Sequence, residues 1–441
     1  MGGILADDMG LGKTLQVISF ITYLKEYYKK ATPHLVVVPT SLIFNWENEI
    51  KKFSPSLKVH KYVGIERNTK HLSILKADII LTTYGTLIND IEVLKEITYN
   101  WIILDESQAI KNPNSKRYKA ARLLQGENRL ALTGTPIENN TFDLYAQMNF
   151  LNPGLLGTMS HFKKEFSDPI DKDRNKEASE LLSKMIHPFL LRRTKKQVAT
   201  ELPEKSESIL YCEMGDKQRK VYEHFKEKYK NYLLEKIDEN GAARSQMYVL
   251  EGLTKLRQIC NCPSLLNEEE DFGKSSVKLD ILIDNIKLKT SQHKVLVFSQ
   301  FTSMLHLIQE RLDNENIAYE YLDGKTKNRE KKVSNFQNDD TLMVFLISLK
   351  AGGTGLNLTK ADYVFLVDPW WNPAVESQAI DRSHRIGQTK QVIAYRMICK
   401  DTIEEKIMAL QKNKKEVSNS VIQVDAIKKS FNKTEIKALF A

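Results

Sequence analysis

Residues 6–14 read ADDMGLGKT, and an apolar stretch beginning near Leu15 follows at once. Gly10 and Gly12 free the backbone of Cβ atoms, so N–H groups can approach phosphate oxygens closely. A helix N-terminus behind such a loop favours an anion. Leu11 lies between the glycines in the same cradle. Lys13 is spaced to reach the β- and γ-phosphates, and the Thr14 hydroxyl to ligate Mg²⁺. The strict G-x4-G-K-[ST] pattern is broken, because Asp7 stands where its first glycine belongs. Taken alone, the loop is explained nearly as well by an ordinary glycine turn.

A second stretch removes most of that ambiguity. WIILDE (101–106) is an apolar strand that ends in two carboxylates. In phosphate-loop enzymes an aspartate at such a strand end holds Mg²⁺, the role expected of Asp105. The carboxylate that follows, Glu106, is placed to act as general base on an attacking water. Asp-Glu pairs are common on surfaces, but a pair that ends a buried strand downstream of a phosphate loop is much less easily accidental.

Working outward, short apolar runs alternate with amphipathic stretches up to about residue 150. His34–Val38, Ala77–Thr82, Trp101–Leu104 and Arg129–Leu132 read as strands, with helices at Ser41–Phe53, Thr86–Glu96 and Asn114–Leu124. This alternation predicts an α/β fold with a parallel sheet covered on both faces. From about 142 to 275 the apolar runs give way to Lys- and Glu-rich helical periodicity. In 216–237, for example, Val221, Phe225, Tyr229, Tyr232 and Leu233 fall near one stripe. The acidic run 268–271 before Gly273 reads as an exposed loop. Alternation resumes at Val277, with strands at Lys294–Ser299, Ala318–Leu322, Leu342–Ile347 and Tyr363–Val367 and helices near 303–313, 326–336 and 374–384. Two such units around a helical middle suggest duplicated lobes.

At 441 residues the chain exceeds one ordinary core. Lys and Arg number 65 against 56 Asp and Glu, and the net charge of +9 is compatible with a polyanionic partner without demanding one. Cys260 and Cys262 form C-x-C, which is not a zinc pair, and Cys212 and Cys399 stand apart. No disulfide framework follows, so a reducing compartment is expected. No apolar run reaches the ~18 residues that span a bilayer, so a soluble intracellular protein is expected, with no membrane partner.

DDMGLGKT (7–14), VVPTSLIFNW (37–46), ILTTYGTL (80–87), DESQ (105–108) and LTGTPIENN (132–140) resemble the first lobe of superfamily-two helicases. VLVFSQF (295–301), ISLKAGGTGLNL (347–358), DPWWNP (368–373) and QAIDRSHRIGQ (378–388) resemble the second. PFLLRRTKKQV (188–198), LRQICNCP (256–263) and DRSHRIGQ are similar to the Swi/Snf-type DNA translocases in particular. The resemblance implies two RecA-like lobes with helical protrusions between them. The first lobe would span 1–205 with a protrusion at about 142–200. The second would span 206–400 with a protrusion at about 213–275, and 401–441 would form a helical extension.

The resemblance also implies residue roles. Lys13, Thr14, Asp105 and Glu106 match the ATP and Mg²⁺ site, and Gly355 and Gln388 are expected to line the same cleft. Arg382 and Arg385, three apart on an expected helix, match arginine fingers that act when the lobes close. Thr133, Gly134 and Thr135 match the segment coupling ATP to nucleic acid. Phosphate-gripping DNA contacts are expected at Pro39, Thr40, Ser41, Thr83, Tyr84, Ser299, Gln300, Lys350, Gly352 and Gly353. Trp370 and Trp371 read as packing residues sooner than base-stacking ones. The partner implied is double-stranded DNA, bound without sequence preference by a monomeric motor that remodels DNA-bound complexes such as RNA polymerase. In a bacterium it would be nucleoid-associated, in a eukaryote nuclear. Two departures, Gln108 in DESQ and Cys262 before proline, are expected to matter little. A third is the lack of the family's upstream adenine clamp before residue 6, from which a fragment of a longer protein is expected.

Overall fold

The computed structural model describes residues 1–28, 32–64, 67, 75–134, 141–173, 175–240, 246–266, 272–352, 355–370 and 373–409. The chain divides into two units, the first ending at Glu201 and the second beginning at Leu202.

In the first unit, seven strands of the described residues form one parallel sheet. They are β1 (Gly3–Leu5), β2 (His34–Val38), β3 (Val59–Tyr62), β4 (Ile79–Thr83), β5 (Thr98–Leu104), β6 (Gln125–Leu132) and β7 (Leu190–Leu191), in the order β3-β4-β2-β5-β6-β1-β7. Successive side chains of a strand point to opposite faces, and both faces here are dry. Leu35, Val37, Ile102 and Leu104 join one core; Val36, Val38, Ile103 and Leu132 join the other. The second core takes Val17, Ile18 and Ile21 from the helix Lys13–Tyr28 and Trp46 and Ile50 from the helix Ile43–Phe53. The first takes Leu144, Met148 and Phe150 from Thr141–Leu151, together with Phe162, Phe166, Leu182 and Ile186. The described part of the 142–200 segment therefore shares the core of the sheet.

The second unit repeats the arrangement with six parallel strands among the described residues: β8 (Lys205–Cys212), β9 (Lys294–Ser299), β10 (Tyr319–Leu322), β11 (Val344–Ser348), β12 (Ala361–Leu366) and β13 (Val392–Cys399). Their order is β10-β11-β9-β12-β13-β8. Val295, Val297 and Phe365 face a core shared with Tyr222, Phe225, Leu253 and Leu256 of the helices Asp216–Asn240 and Gln246–Asn261. Leu296, Phe298 and Val364 face the other. Both sheets are parallel and flanked by helices, the α/β class expected.

Five strands lie outside those expected. β1 and β7 are too short to show a period. β3 (VHKY) and β8 (KSESILYC) are edge strands, and only the last residue of each is buried. β13 is largely buried, but Tyr395 and Arg396 interrupt its apolar run. The helix expected over Thr86–Glu96 starts earlier, at Tyr84, and is split at Asp90 into Tyr84–Asn89 and Ile91–Leu94. The Asp90 carboxylate accepts from Arg67, Nη2 to Oδ1 at 2.6 Å. The helix expected near 374–384 is Pro373–Ile380, so Arg382 and Arg385 do not share a helical face. They sit in the turns that follow, where Arg382 N–H reaches Ala379 O and Ser383 N–H reaches Ile380 O. The extension expected at 401–441 lies outside the described residues beyond 409.

Candidate active site

The sequence-predicted residues of the first unit gather at the carboxyl ends of its strands, the edge at which open parallel sheets bind ligands. Residues 6–14 follow β1, Pro39–Ser41 follow β2, Thr83 ends β4 and Tyr84 follows it, Asp105 and Glu106 follow β5, and Thr133 and Gly134 follow β6. In the second unit the expected residues fall into two groups. Ser299 ends β9 and Gln300 follows it, and Lys350 and Gly352 follow β11, at the carboxyl edge. Arg382, Arg385 and Gln388 lie before β13, where Leu358 N–H binds Arg382 O and Gln388 Nε2 donates to Ala361 O at 2.9 Å, at the amino end of β12.

Gly10 and Gly12 hold φ of 89° and 73°, a left-handed backbone that other residues adopt only with strain. This turn delivers Lys13 and Thr14 as the first two residues of the helix Lys13–Tyr28. The Lys13 ammonium donates to Asp7 O at 2.6 Å and Asp8 O at 3.3 Å. Thr14 is half-buried beside it, and Leu11 is buried.

Asp105 is buried. Its Oδ2 accepts from the Trp46 indole N–H at 2.8 Å, and its Oδ1 from the Glu106 N–H at 2.9 Å. Burial and then the neighbouring Glu106 charge push its carboxyl up to about 6. A buried carboxylate destabilised as an anion at the end of β5, and a half-buried threonine hydroxyl at the start of the helix after β1, are the kinds of oxygen donor that suit a hard cation such as Mg²⁺. The family's phosphate-loop motifs imply ATP with that ion. Glu106 has φ 48° and ψ 55°, a conformation that costs a non-glycine residue about 1–3 kcal/mol and tends to cluster at active sites.

Three residues do more than the sequence reading assigned them: Gln108, expected to matter little, Gly134, expected only in the coupling segment, and Trp46. Gln108 donates from Nε2 to Glu106 Oε2 at 2.8 Å and accepts the Thr133 hydroxyl at 3.2 Å, so the expected coupling residue reaches the expected base through one amide. Gly134 packs against the phosphate loop: a Cβ there would stand 2.7 Å from Met9 Cγ and would have to displace that side chain. Trp46 fixes Asp105, although its place on an amphipathic helix signals only burial. Thr135 lies outside the described residues.

The expected DNA contacts separate by exposure. Thr40 and Lys350 are exposed, and Pro39, Ser41 and Gln300 are half-buried. Tyr84 is a correction. Its phenol is buried and donates to Asp105 O at 2.8 Å, bracing the Asp-Glu turn from below. Thr83 is likewise buried and caps the helix Tyr84–Asn89, accepting from Thr86 N–H at 3.1 Å. The Ser299 hydroxyl is fully buried and donates to Asp368. A Cβ at Gly352 would meet the Phe298 ring at 2.6 Å, so this glycine serves packing. Gly353 lies outside the described residues.

At the amino edge of the second sheet, Arg382 is buried and Arg385 half-buried, its Nε donating to Asp381 O at 3.2 Å. Gln388 is also a correction. Its amide donates to Ala361 O and Ser383 O and accepts from Thr389 and Lys390 N–H, so it is spent on its own loop and the start of β12. Gly355 adopts φ 66°. At the carboxyl edge, Asp368 also accepts from Gln300 N–H at 3.1 Å and lies 3.8 Å from Arg257, which binds Pro369 O. Nearby, Lys278 Nζ reaches Glu404 Oε1 at 2.7 Å and Val367 O at 2.7 Å, all fully buried. Cys260, Cys399 and Glu404 cluster there, but the Lys278 ammonium already supplies the cation that Glu404 requires. All four cysteines are free and buried.

Residues 1–265 match the SNF2-related domain, and residues 277–387 match the helicase conserved C-terminal domain. The chain belongs to the SNF2 family. Its two matched regions are those of an SNF2-type motor core of helicase superfamily two. An uncharacterized ATP-dependent helicase of Mycoplasma genitalium is 39% identical over all of this chain and 42% of its own length. A putative ATP-dependent helicase/translocase of Bacillus subtilis, YwqA, is 38% identical over all of this chain and 48% of its own. The yeast TATA-binding protein-associated factor MOT1 is 38% identical over 95% of this chain and 26% of its own. The chain thus spans less than half the length of these curated relatives. Among solved structures it is similar to the Sulfolobus solfataricus SWI2/SNF2 ATPase core in complex with double-stranded DNA, at 39% identity over 94% of this chain and 87% of that one, with a TM-score of 0.47. No helix of the described residues is long and apolar enough to cross a membrane.

Proposed function

We propose that this SNF2 core is an ATP-dependent translocase on double-stranded DNA, and that it remodels DNA-bound protein complexes without separating the strands. The observation that carries this reading is the continuous link Glu106–Gln108–Thr133 beside the phosphate loop. It ties the base that acts on water to the segment expected to sense nucleic acid.

The backbone after β1 and the Lys13 ammonium bind the phosphates of ATP. Thr14 and Asp105 would hold Mg²⁺, and the ion would supply positive charge against the phosphates. Glu106, held at one carboxylate oxygen by Gln108, orients a water and takes its proton. Arg382 and Arg385 supply positive charge to the transition state, as arginine fingers do. Thr40, Ser41, Gln300 and Lys350 grip the phosphate backbone without reading bases, so binding falls steeply with salt. Similarity to MOT1, a TATA-binding protein-associated factor, supports a protein cargo on DNA.

The test is ATP hydrolysis with and without plasmid DNA, paired with displacement of a third strand from a triplex and of one strand from a tailed duplex. Duplex-stimulated hydrolysis and triplex displacement with an intact duplex are expected. ATP-driven release of a duplex strand would instead make the chain an unwinding helicase. Duplex binding without stimulated hydrolysis would make it a non-catalytic binding module.

A further inference from the structure

Asp7, the residue that breaks the strict phosphate-loop pattern, is fully buried, and its carboxylate is held by a segment 186 residues further on. Arg193 N–H donates to Asp7 Oδ1 at 3.0 Å. Its guanidinium makes a fork, Nε to Oδ1 at 3.1 Å and Nη2 to Oδ2 at 2.5 Å. The same Nη2 reaches Gln16 Oε1 at 2.6 Å, and Gln16 Nε2 returns to Asp7 Oδ2 at 3.2 Å and to Leu11 O at 3.1 Å. Arg193 thus grips the loop at both ends, before its glycines and after them.

The backbone does the same. β1 pairs with β7, and the pairing runs on past both strands: Ala6 N–H binds Leu191 O at 2.7 Å, Asp8 N–H binds Arg193 O at 3.0 Å, and Lys195 N–H binds Asp8 Oδ2 at 3.0 Å. Residues 191–195 therefore form a strap along residues 6–8. The strap ends seven residues before Leu202, where the second unit begins. A bidentate arginine–carboxylate pair fixes direction as well as distance, and a buried carboxylate stripped of its partner cannot stay as it is.

We infer that Arg193 is a positioning residue for the phosphate loop, and that the strap 191–195 and the nucleotide report on each other's state. Nucleotide that settles into the loop tightens the strap. A strap pulled from the segment that leads to the second unit loosens the loop and releases nucleotide. Asp7 takes the glycine's place because this loop is held from outside by a charged partner and has no left-handed residue at that point; the left-handed glycines are Gly10 and Gly12. The inference rests on the reading of residues 6–14 as the ATP site.

The test uses the whole chain and the probe mant-ADP with Mg²⁺. Arg193→Ala should weaken mant-ADP binding and raise the KM for ATP about tenfold, because the loop loses the guanidinium fork that orients it, with kcat at saturating ATP changed less than about threefold. Arg193→Lys, which keeps the charge and loses the fork, should recover only part of the affinity. Asp7→Asn should weaken binding by itself and add nothing in the Arg193→Ala background. In the unmutated chain, hydrogen exchange of the amides at 191–195 should slow when mant-ADP binds. That measurement stands even if a variant fails to fold. Unchanged affinity in Arg193→Ala, or strap exchange indifferent to nucleotide, overturns the inference while Lys13→Ala still abolishes binding. Should the unmutated chain bind no mant-ADP, the ATP-site reading falls as well.

Discussion

Gln108 donates its amide N–H to Glu106 Oε2 at 2.8 Å. In doing so it holds a half-buried carboxylate whose own backbone is left-handed. A hydrogen bond to a charged group contributes roughly 1.5–3 kcal/mol. Gln108→Ala should therefore lower kcat for ATP about 10- to 100-fold and leave the KM for ATP within about threefold. A comparable rise in KM with kcat intact would show that the amide serves binding. Gln108→Glu should be worse, since it sets a second carboxylate beside the first.

Lys13→Ala and Glu106→Gln should each remove hydrolysis, by at least about a hundredfold, while filter binding to duplex DNA stays near that of the unmutated chain. Arg385→Ala should lose roughly 10³–10⁵ in rate and keep ATP binding. Turnover that survives any of these substitutions would refute the roles assigned.

The buried Asp105 carboxyl gives a pH signature. Its folded value, about 6, lies above its ordinary 3.8, so folding favours the protonated form. Ionisation then destabilises the metal-free fold progressively between those two values, and fully above about 6. Asp105→Asn should raise the Tm in EDTA at pH 8, and the gain should shrink towards zero near pH 4. Hydrolysis should demand more Mg²⁺ as pH falls through about 6, because the protonated acid is a poor ligand. An Asn variant whose Tm advantage is the same at both pH values would contradict this account.

Lys278 and Glu404 face each other at 2.7 Å with no exposure to water. Burial and the Glu404 charge oppose each other at the ammonium, and the second prevails, so Lys278 stays charged. Breaking such a pair from one side costs about 3–5 kcal/mol, whereas replacing both partners by apolar groups is often neutral. Lys278→Met should lower the Tm strongly, and Lys278→Met with Glu404→Leu should recover most of the loss. A double variant no better than the single one would show that the contacts of Lys278 with Val367 O and Asn261 matter more.

Much of the fold was legible because buried parallel strands write themselves as unbroken apolar runs. VVV before Pro39 and WIIL before Asp105 need no partner to be read. The strands that escaped were short, lay at an edge or carried polar residues within the run, as KSESILYC does in β8. The phosphate loop and the Asp-Glu pair were legible because their chemistry fixes residue types at close spacing. Tyr84 and Ser299 were placed wrongly because a polar side chain at a strand end reads the same whether it faces solvent or a buried acceptor, and Gln388 because a loop amide reads the same whether it faces a ligand or nearby backbone. The Asp7–Arg193 fork joins residues 186 apart, and no local pattern foretells such a pair.

In each sheet, an early strand is hydrogen-bonded to the last. β1 lies beside β7, and β8, which opens the second unit, runs along β13, Lys205 opposite Val392 and Cys212 opposite Cys399. A ribosome must therefore deliver nearly a whole unit before that unit's sheet can be completed. The first can close while the second is still being made, as domains emerging in order tend to do. The second must keep an edge strand waiting through almost two hundred residues of synthesis. That strand is half polar and carries Lys205, Glu207 and exposed Tyr211, a composition suited to staying soluble while unpaired.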